Sequence, residues 1–346
     1  METPLFDQLA RRGSEFLGVR YPIICGAMTW ISDVHLVRAV SESGGFGVLA
    51  AGNMDPGRLA AEIGRCAQLL RVPFGVNLVT IAPNFEAQKK AVSRSRAPYV
   101  VFAGSFPSRG DIAEMKDAGK RVMAFASTTS IARQMVRFGV DALILEGSEA
   151  GGHIGHVTLT ILIQQVLFDE PPVPVFVAGG IARGRMIAHM LLMGAAGVQM
   201  GTRFVMSEEC RAHERLKQAF RNAKAREAVE TPQYDRRLPV EAVRALRNRA
   251  MDDFGRLQLA LMEKLDSGRI DRTEAQKTVE EFWMGGLRRA AVDGDIEGGS
   301  LMAGQSVGLV DRILPMKAIF EEMLGDAEVE LRRVATLLLP RSNKVP

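Results

Sequence analysis

Eight short apolar runs punctuate the first two hundred residues: Pro22–Cys25, Gly47–Ala51, Phe74–Leu78, Tyr99–Ala103, Val122–Ala126, Ala142–Glu146, Val175–Ala178 and Gly197–Met200. They are continuously apolar rather than alternating, the pattern of strands covered on both faces. Successive runs begin 20 to 33 residues apart, which leaves room for the crossover helix that parallel neighbours need. The stretches between them have helical spacing. Asp33 is placed to cap a helix carrying Leu36, Val37 and Val40 that ends at Gly44 and Gly45. Arg58–Leu70 gathers Leu59, Ile63, Cys66 and Leu70 on one face, and a helix capped by Thr129 runs through Phe138 to stop at Gly139. Eight such units predict an α/β fold, a (β/α)8 TIM barrel, because an open sheet more often stops at five or six strands.

After Phe204 the pattern changes. Residues 208–290 are helical in spacing, rich in Arg, Lys and Glu, and show no convincing strand. A glycine-dense loop from Gly294 to Gln305 follows, and an amphipathic stretch from Met316 to about Leu339 closes the chain. The expected organisation is a barrel of residues 1–207 and 306–346 with a mainly helical substrate domain, 208–305, inserted after strand eight.

Composition adds exclusions. Hydrophobic residues make up 47% and charged residues 24% of the 346, so a large core is available. The net charge of +4 is small and aromatics are only 6%, which argues against a nucleic-acid platform. Three cysteines without a CxxC pair suggest neither a disulfide framework nor a zinc site. The first residues, METPLFDQLARRG, do not read as a secretory signal, and no apolar run reaches the length of a membrane span, so a cytoplasmic protein is expected.

The candidate chemistry lies in loops at the strand ends. Strand seven runs into Gly179-Gly180 and strand eight into Gln199-Met200-Gly201-Thr202. In barrels these two loops hold phosphate on backbone N–H groups, and glycine lets the backbone approach the anion. Glycines that only make tight turns are the plainer alternative. Strand six runs into Glu146-Gly-Ser-Glu-Ala-Gly-Gly-His153-Ile-Gly-His156. His153 there is the candidate for proton transfer; a structural histidine, or a metal ligand with His156, Glu146 and Glu149, is the competing reading, although the spacing fits no standard metal set. His156 is expected at the start of the next helix. Asn77 points an amide at the same mouth. A dinucleotide GxGxxG, a Walker loop and a GxSxG elbow are all missing.

The segments YPIICGAMTW, SESGGFGVLAAGN, PFGVN, EGSEAGGHIG, VAGGIARG and GVQMGTRFV resemble, in order, the motifs of the nitronate monooxygenase (2-nitropropane dioxygenase) family, which includes enoyl-acyl carrier protein reductase II. The resemblance runs from Tyr21 to about Val310 and implies one non-covalent FMN. By position, Ala27 and Met28 would line the flavin ring and Asn77 its polar edge. Gly179, Gly180, Gln199, Met200, Gly201 and Thr202 would hold the phosphate. Gly152 would join the cofactor contacts, Met302 and Gln305 would approach the ring from the other side, and His153 would be the active-site histidine. Met28-Thr29-Trp30, the His153 loop and Gly298–Gln305 lean toward the reductase branch, with NADH or NADPH as reductant and an enoyl thioester as substrate. The other branch oxidises alkyl nitronates with O2. Beside both stand a flavin-free barrel, an isomerase or lyase of a phosphorylated metabolite, and a barrel that only binds. Arg211, Arg215, Lys217, Arg221, Lys224 and Arg226 could dock an acyl carrier protein or a nucleotide phosphate, or could simply be a solvated face beside Glu208, Glu209, Glu214 and Glu227. A homodimer is compatible with the resemblance.

Overall fold

The computed structural model describes residues 2–52, 54–235, 238 and 242–338; the end of the closing stretch, from Leu339 on, lies outside them. Eight parallel strands form a closed barrel: β1 Ile23–Cys25, β2 Phe46–Ala50, β3 Gly75–Val79, β4 Tyr99–Ala103, β5 Arg121–Ala126, β6 Ala142–Glu146, β8 Val175–Ala178 and β9 Gly197–Met200. Closure is made by β9 against β1, with Ile23 opposite Val198 and Cys25 opposite Met200. Each strand falls on an expected apolar run, within a residue or so at the ends. The barrel interior is packed by Ile24, Phe46, Val48, Tyr99, Val101, Met123, Ile144 and Phe176. A second, larger core lies between the strands and the outer helices. Helix α1, Pro4–Leu17, plugs the N-terminal end of the barrel: Tyr99 and Arg121 both donate to the carbonyl of Phe16.

The crossover helices obey their local signals. In α2, Val34–Glu42, the Asp33 carboxylate accepts from the backbone N–H groups of His35 and Leu36. Helix α3, Pro56–Leu69, buries Leu59, Ile63 and Cys66. Helix α6, Thr129–Phe138, ends at Gly139 as expected, but its cap is Thr128, one residue earlier, because the Thr128 hydroxyl is the one that reaches the N–H of Ile131.

Beyond β9 the chain makes one short turn of helix, α9 Thr202–Val205, and leaves the barrel at Ser207, which bridges to Leu314 where the chain returns. Helix α13, Met316–Leu338, then packs on α8, Gly184–Leu192, and on α1, supplying the barrel's last outer helix. Between these points lie α10 Glu214–Asn222, whose Leu216 and Phe220 join the larger barrel core, and α11 Arg249–Asp266 and α12 Arg272–Ala291, with a core of their own around Phe254, Leu261, Val279 and Trp283. The expectation of no strand here is corrected. Strands β10 Ala228–Glu230 and β11 Val243–Leu246 pair antiparallel, and β11 also pairs with β7, Gly152–His153, in the loop after β6. These strands are two to four residues long and the β11 partner is far away in sequence, so no hairpin signal announces them.

Candidate active site

Alternation along the strands carries polar groups to the barrel mouth. Ala142 and Ile144 point inward, so Glu146 at the end of β6 does too. Asn77 lies opposite inward-facing Val101, and Gln199 opposite inward-facing Ala178. All three line a cavity of about 520 Å³ at the C-terminal ends of the strands. Helix α12 forms its roof through Glu280, Trp283, Met284, Leu287 and Ala291, spaced as one helical face. Ala27, Met28, Gly152, His153, Gly179, Gly180, Met200, Gly201, Thr202 and Met302 also line it. The structure thus brings together every expected site residue except Gln305. Gly304 and Ser306 line the cavity, whereas Gln305 is exposed and opens a 3-10 turn, its N–H bonded to the carbonyl of Glu149 at 2.9 Å.

Backbone conformation explains the paired glycine loops. Gly179 and Gly180 adopt φ of 103° and 69°, a region that L side chains rarely enter. Gly201 leads directly into α9, whose first N–H groups have no partner inside the helix. Met302 meets the other wall, its sulfur 3.6 Å from where a Cβ on Gly152 would sit. The His153 loop and the late glycine loop cross backbone to backbone: a Cβ on Gly151 would lie 2.4 Å from the N of Gly304.

His153 is held between the end of β6 and β11, where it pairs with Val243. Its side chain is 30% exposed, and its Nε2 lies 3.6 Å from Glu280 Oε1. His156 is not at a helix start. It sits on the loop before α7, Leu159–Leu162, with Nδ1 3.2 Å from a carboxylate oxygen of Glu230. Among the described residues no group of three or more His, Cys, Asp or Glu converges as metal ligands would. Burial pushes the thiols of Cys25 and Cys210 up and that of Cys66 up to about 12, so none offers a thiolate nucleophile. The expected basic cluster is divided: Lys217 is buried with Nζ 2.7 Å from the Ser207 carbonyl, and Arg211 pairs with Asp33 at 3.8 Å.

Burial likewise pushes the Glu146 carboxyl up to about 8, with nearby His153 pulling the other way. A carboxyl whose folded pKa is raised stabilises the fold below its unfolded value, and that stability drains away as pH rises toward about 8. The apoprotein Tm should therefore fall between about pH 5 and pH 8, and Glu146→Gln should flatten this slope. An unchanged slope in the variant would show that Glu146 is ionised in the fold.

Trp30 was not expected to matter beyond its motif. It has φ of 70°, unusual for a bulky residue. Its indole N–H donates to the Met284 carbonyl of α12 at 3.1 Å, and the Arg288 guanidinium lies 5.9 Å from its ring centre. The loop after β1 is thereby fastened to the roof helix.

The model of the nitronate monooxygenase family matches residues 11–326. The chain belongs to the nitronate monooxygenase family. Three relatives show its breadth. The (3aS,4S,5R,7aS)-5-hydroxy-7a-methyl-1-oxo-octahydro-1H-indene-4-carboxyl-CoA dehydrogenase of Mycobacterium tuberculosis is 30% identical over 94% of this chain and 98% of its own. FabK from Thermotoga maritima is 35% identical, with a TM-score of 0.82 over 94% of this chain and 99% of its own. A nitroalkane oxidase from Streptomyces ansochromogenes is 28% identical, with a TM-score of 0.75 over 91% of this chain and 97% of its own. This member of the nitronate monooxygenase family is accordingly an enzyme and an oxidoreductase, in a family that is flavin-dependent in general. Among the described residues no helix is long and apolar enough to cross a membrane.

Proposed function

We propose that the protein is an FMN-dependent oxidoreductase that uses NADH or NADPH to reduce an enoyl thioester. The observation that carries this reading is the company of the full-length likenesses. At 30% identity or more they are to a carboxyl-CoA dehydrogenase and to FabK, an enoyl-acyl carrier protein reductase II. The likeness to a nitroalkane oxidase, at 28%, favours the second reading, oxidation of an alkyl nitronate with O2.

The cavity residues fit FMN. Gly179, Gly180, Gly201 and Thr202 would hold its phosphate, with Gln199 and Met200 beside them. Ala27, Met28, Gly152 and Met302 would flank the ring and Asn77 would meet its polar edge. The chemistry a flavin would supply there is hydride transfer, with the nicotinamide as donor and the β-carbon of the thioester as acceptor. The substrate would enter beneath α12, and we take residues 208–305 as the unit that covers it. His153 would deliver a proton to the carbon next to the thioester carbonyl, so that one hydride and one proton saturate the double bond. The test is whether a nicotinamide reduces the flavin and an enoyl thioester reoxidises it. Thioesters of coenzyme A and of acyl carrier protein, compared side by side, identify the carrier.

A further inference from the structure

Helix α12 carries a carboxylate where a roof of apolar side chains would have sufficed. Glu280 is 7% exposed and lies on the face that closes the cavity, one turn before Met284. Among the described residues its ionic partner is His153, at 3.6 Å. Burying a carboxylate is costly unless a cationic or donating group meets it, so its presence here needs a partner that gains from it. The same stripe of α12 is tied to the barrel by Trp30 at Met284, which holds Glu280 at a fixed height over the mouth.

We propose that Glu280 is the positioning residue of His153: the roof helix supplies a carboxylate that orients the imidazole into the cavity and stabilises its protonated form. The proton-transfer centre is then shared between the barrel loop and the inserted unit, and is complete only when α12 covers the mouth. Among the described residues, the other charged groups near His153 are placed differently. Burial pushes the carboxyl of Glu146, at the end of β6, up to about 8, which disfavours its charged form beside His153. Arg244, its neighbour on β11, is committed to the carbonyls of Ser148 and Ala228, both at 2.8 Å. On the outer side of the loop, His156 pairs with Glu230, and Glu149 accepts from the N–H of Leu159. Glu241 lies outside the described residues.

The inference rests on His153 as the group that transfers the proton, and the test separates the two. The His153 ring is titrated by NMR in flavin-loaded protein; with five histidines in the chain, His153→Ala assigns its signal. Losing an opposite charge at this range lowers an imidazolium pKa, so Glu280→Gln should move the midpoint down by about one pH unit. Glu280→Asp, which keeps the charge, should recover most of that shift. If the protonated form is the working acid, turnover of Glu280→Gln should fall away about one pH unit earlier on the alkaline side and approach the parent at low pH. An unmoved midpoint in Glu280→Gln with parental circular dichroism and flavin absorbance would overturn the proposal, as would a loss of turnover equal at every pH. Full turnover in His153→Ala, with the midpoint shift still present in Glu280→Gln, would instead overturn the acid role and leave the pairing standing.

Discussion

His153→Ala should retain its flavin and its fold while losing about 10²- to 10⁴-fold in turnover, the usual worth of one positioned acid or base. His153 is held by backbone pairing between β7 and β11, which an alanine can still make. The proposed phosphate-binding residues belong to other loops, those after β8 and β9. Only the imidazole is removed, and with it the partner of Glu280, so a lower Tm should accompany the lost turnover. Flavin content by absorbance and turnover on the same sample decide the matter. Loss of flavin in this variant would mean that the residue is a cofactor ligand rather than an acid.

Gly180→Val should do the reverse and weaken the hold on FMN. At φ of 69° a β-branched side chain costs on the order of 1–3 kcal/mol in backbone strain, and the loop will relax away from that conformation. If the phosphate depends on it, FMN affinity should drop about 10- to 100-fold, the equivalent of that strain. Gly194 supplies the control. Its φ is 99°, nothing lies within 4 Å of an added Cβ, and it sits before β9, at the far end of the barrel from the cavity. Gly194→Val should lose stability but keep its flavin. Equal flavin loss in both variants would show that strain anywhere loosens the cofactor, and that the loop after β8 has no special part in holding it.

Much of this was legible because barrel strands leave a strong trace. Buried on both faces, they read as apolar runs, and the crossover helices between them declare caps such as Asp33 and stops such as Gly139. The glycines after β8 were legible for a related reason: backbone at φ of 103° and 69° restricts residue choice severely, and His153, like them, lines the cavity. Residues 208–305 left fainter marks. Strand β11, Val243–Leu246, is four residues long and its partner β7 lies in the loop after β6, so pairing that fixes His153 cannot be read locally. Glu280 is one glutamate on a helix that also carries Glu274 and Glu281; only the packing of α12 over the mouth sets it apart. Lys217 read as one of a basic cluster, yet its ammonium is spent on the Ser207 carbonyl. Gln305 shows the limit of position alone: its neighbours Gly304 and Ser306 line the cavity and it does not.

In the proposed function, nicotinamide electrons reach an acyl thioester beneath α12 by way of a flavin in this cavity. Anaerobic mixing of the flavin-loaded protein with NADH and with NADPH, followed by an enoyl thioester, tests it most directly. One of the nicotinamides should bleach the flavin rapidly and the thioester should restore its colour. Bleaching by an alkyl nitronate alone, with neither nicotinamide effective, would contradict the claim and make the protein a nitronate oxidiser.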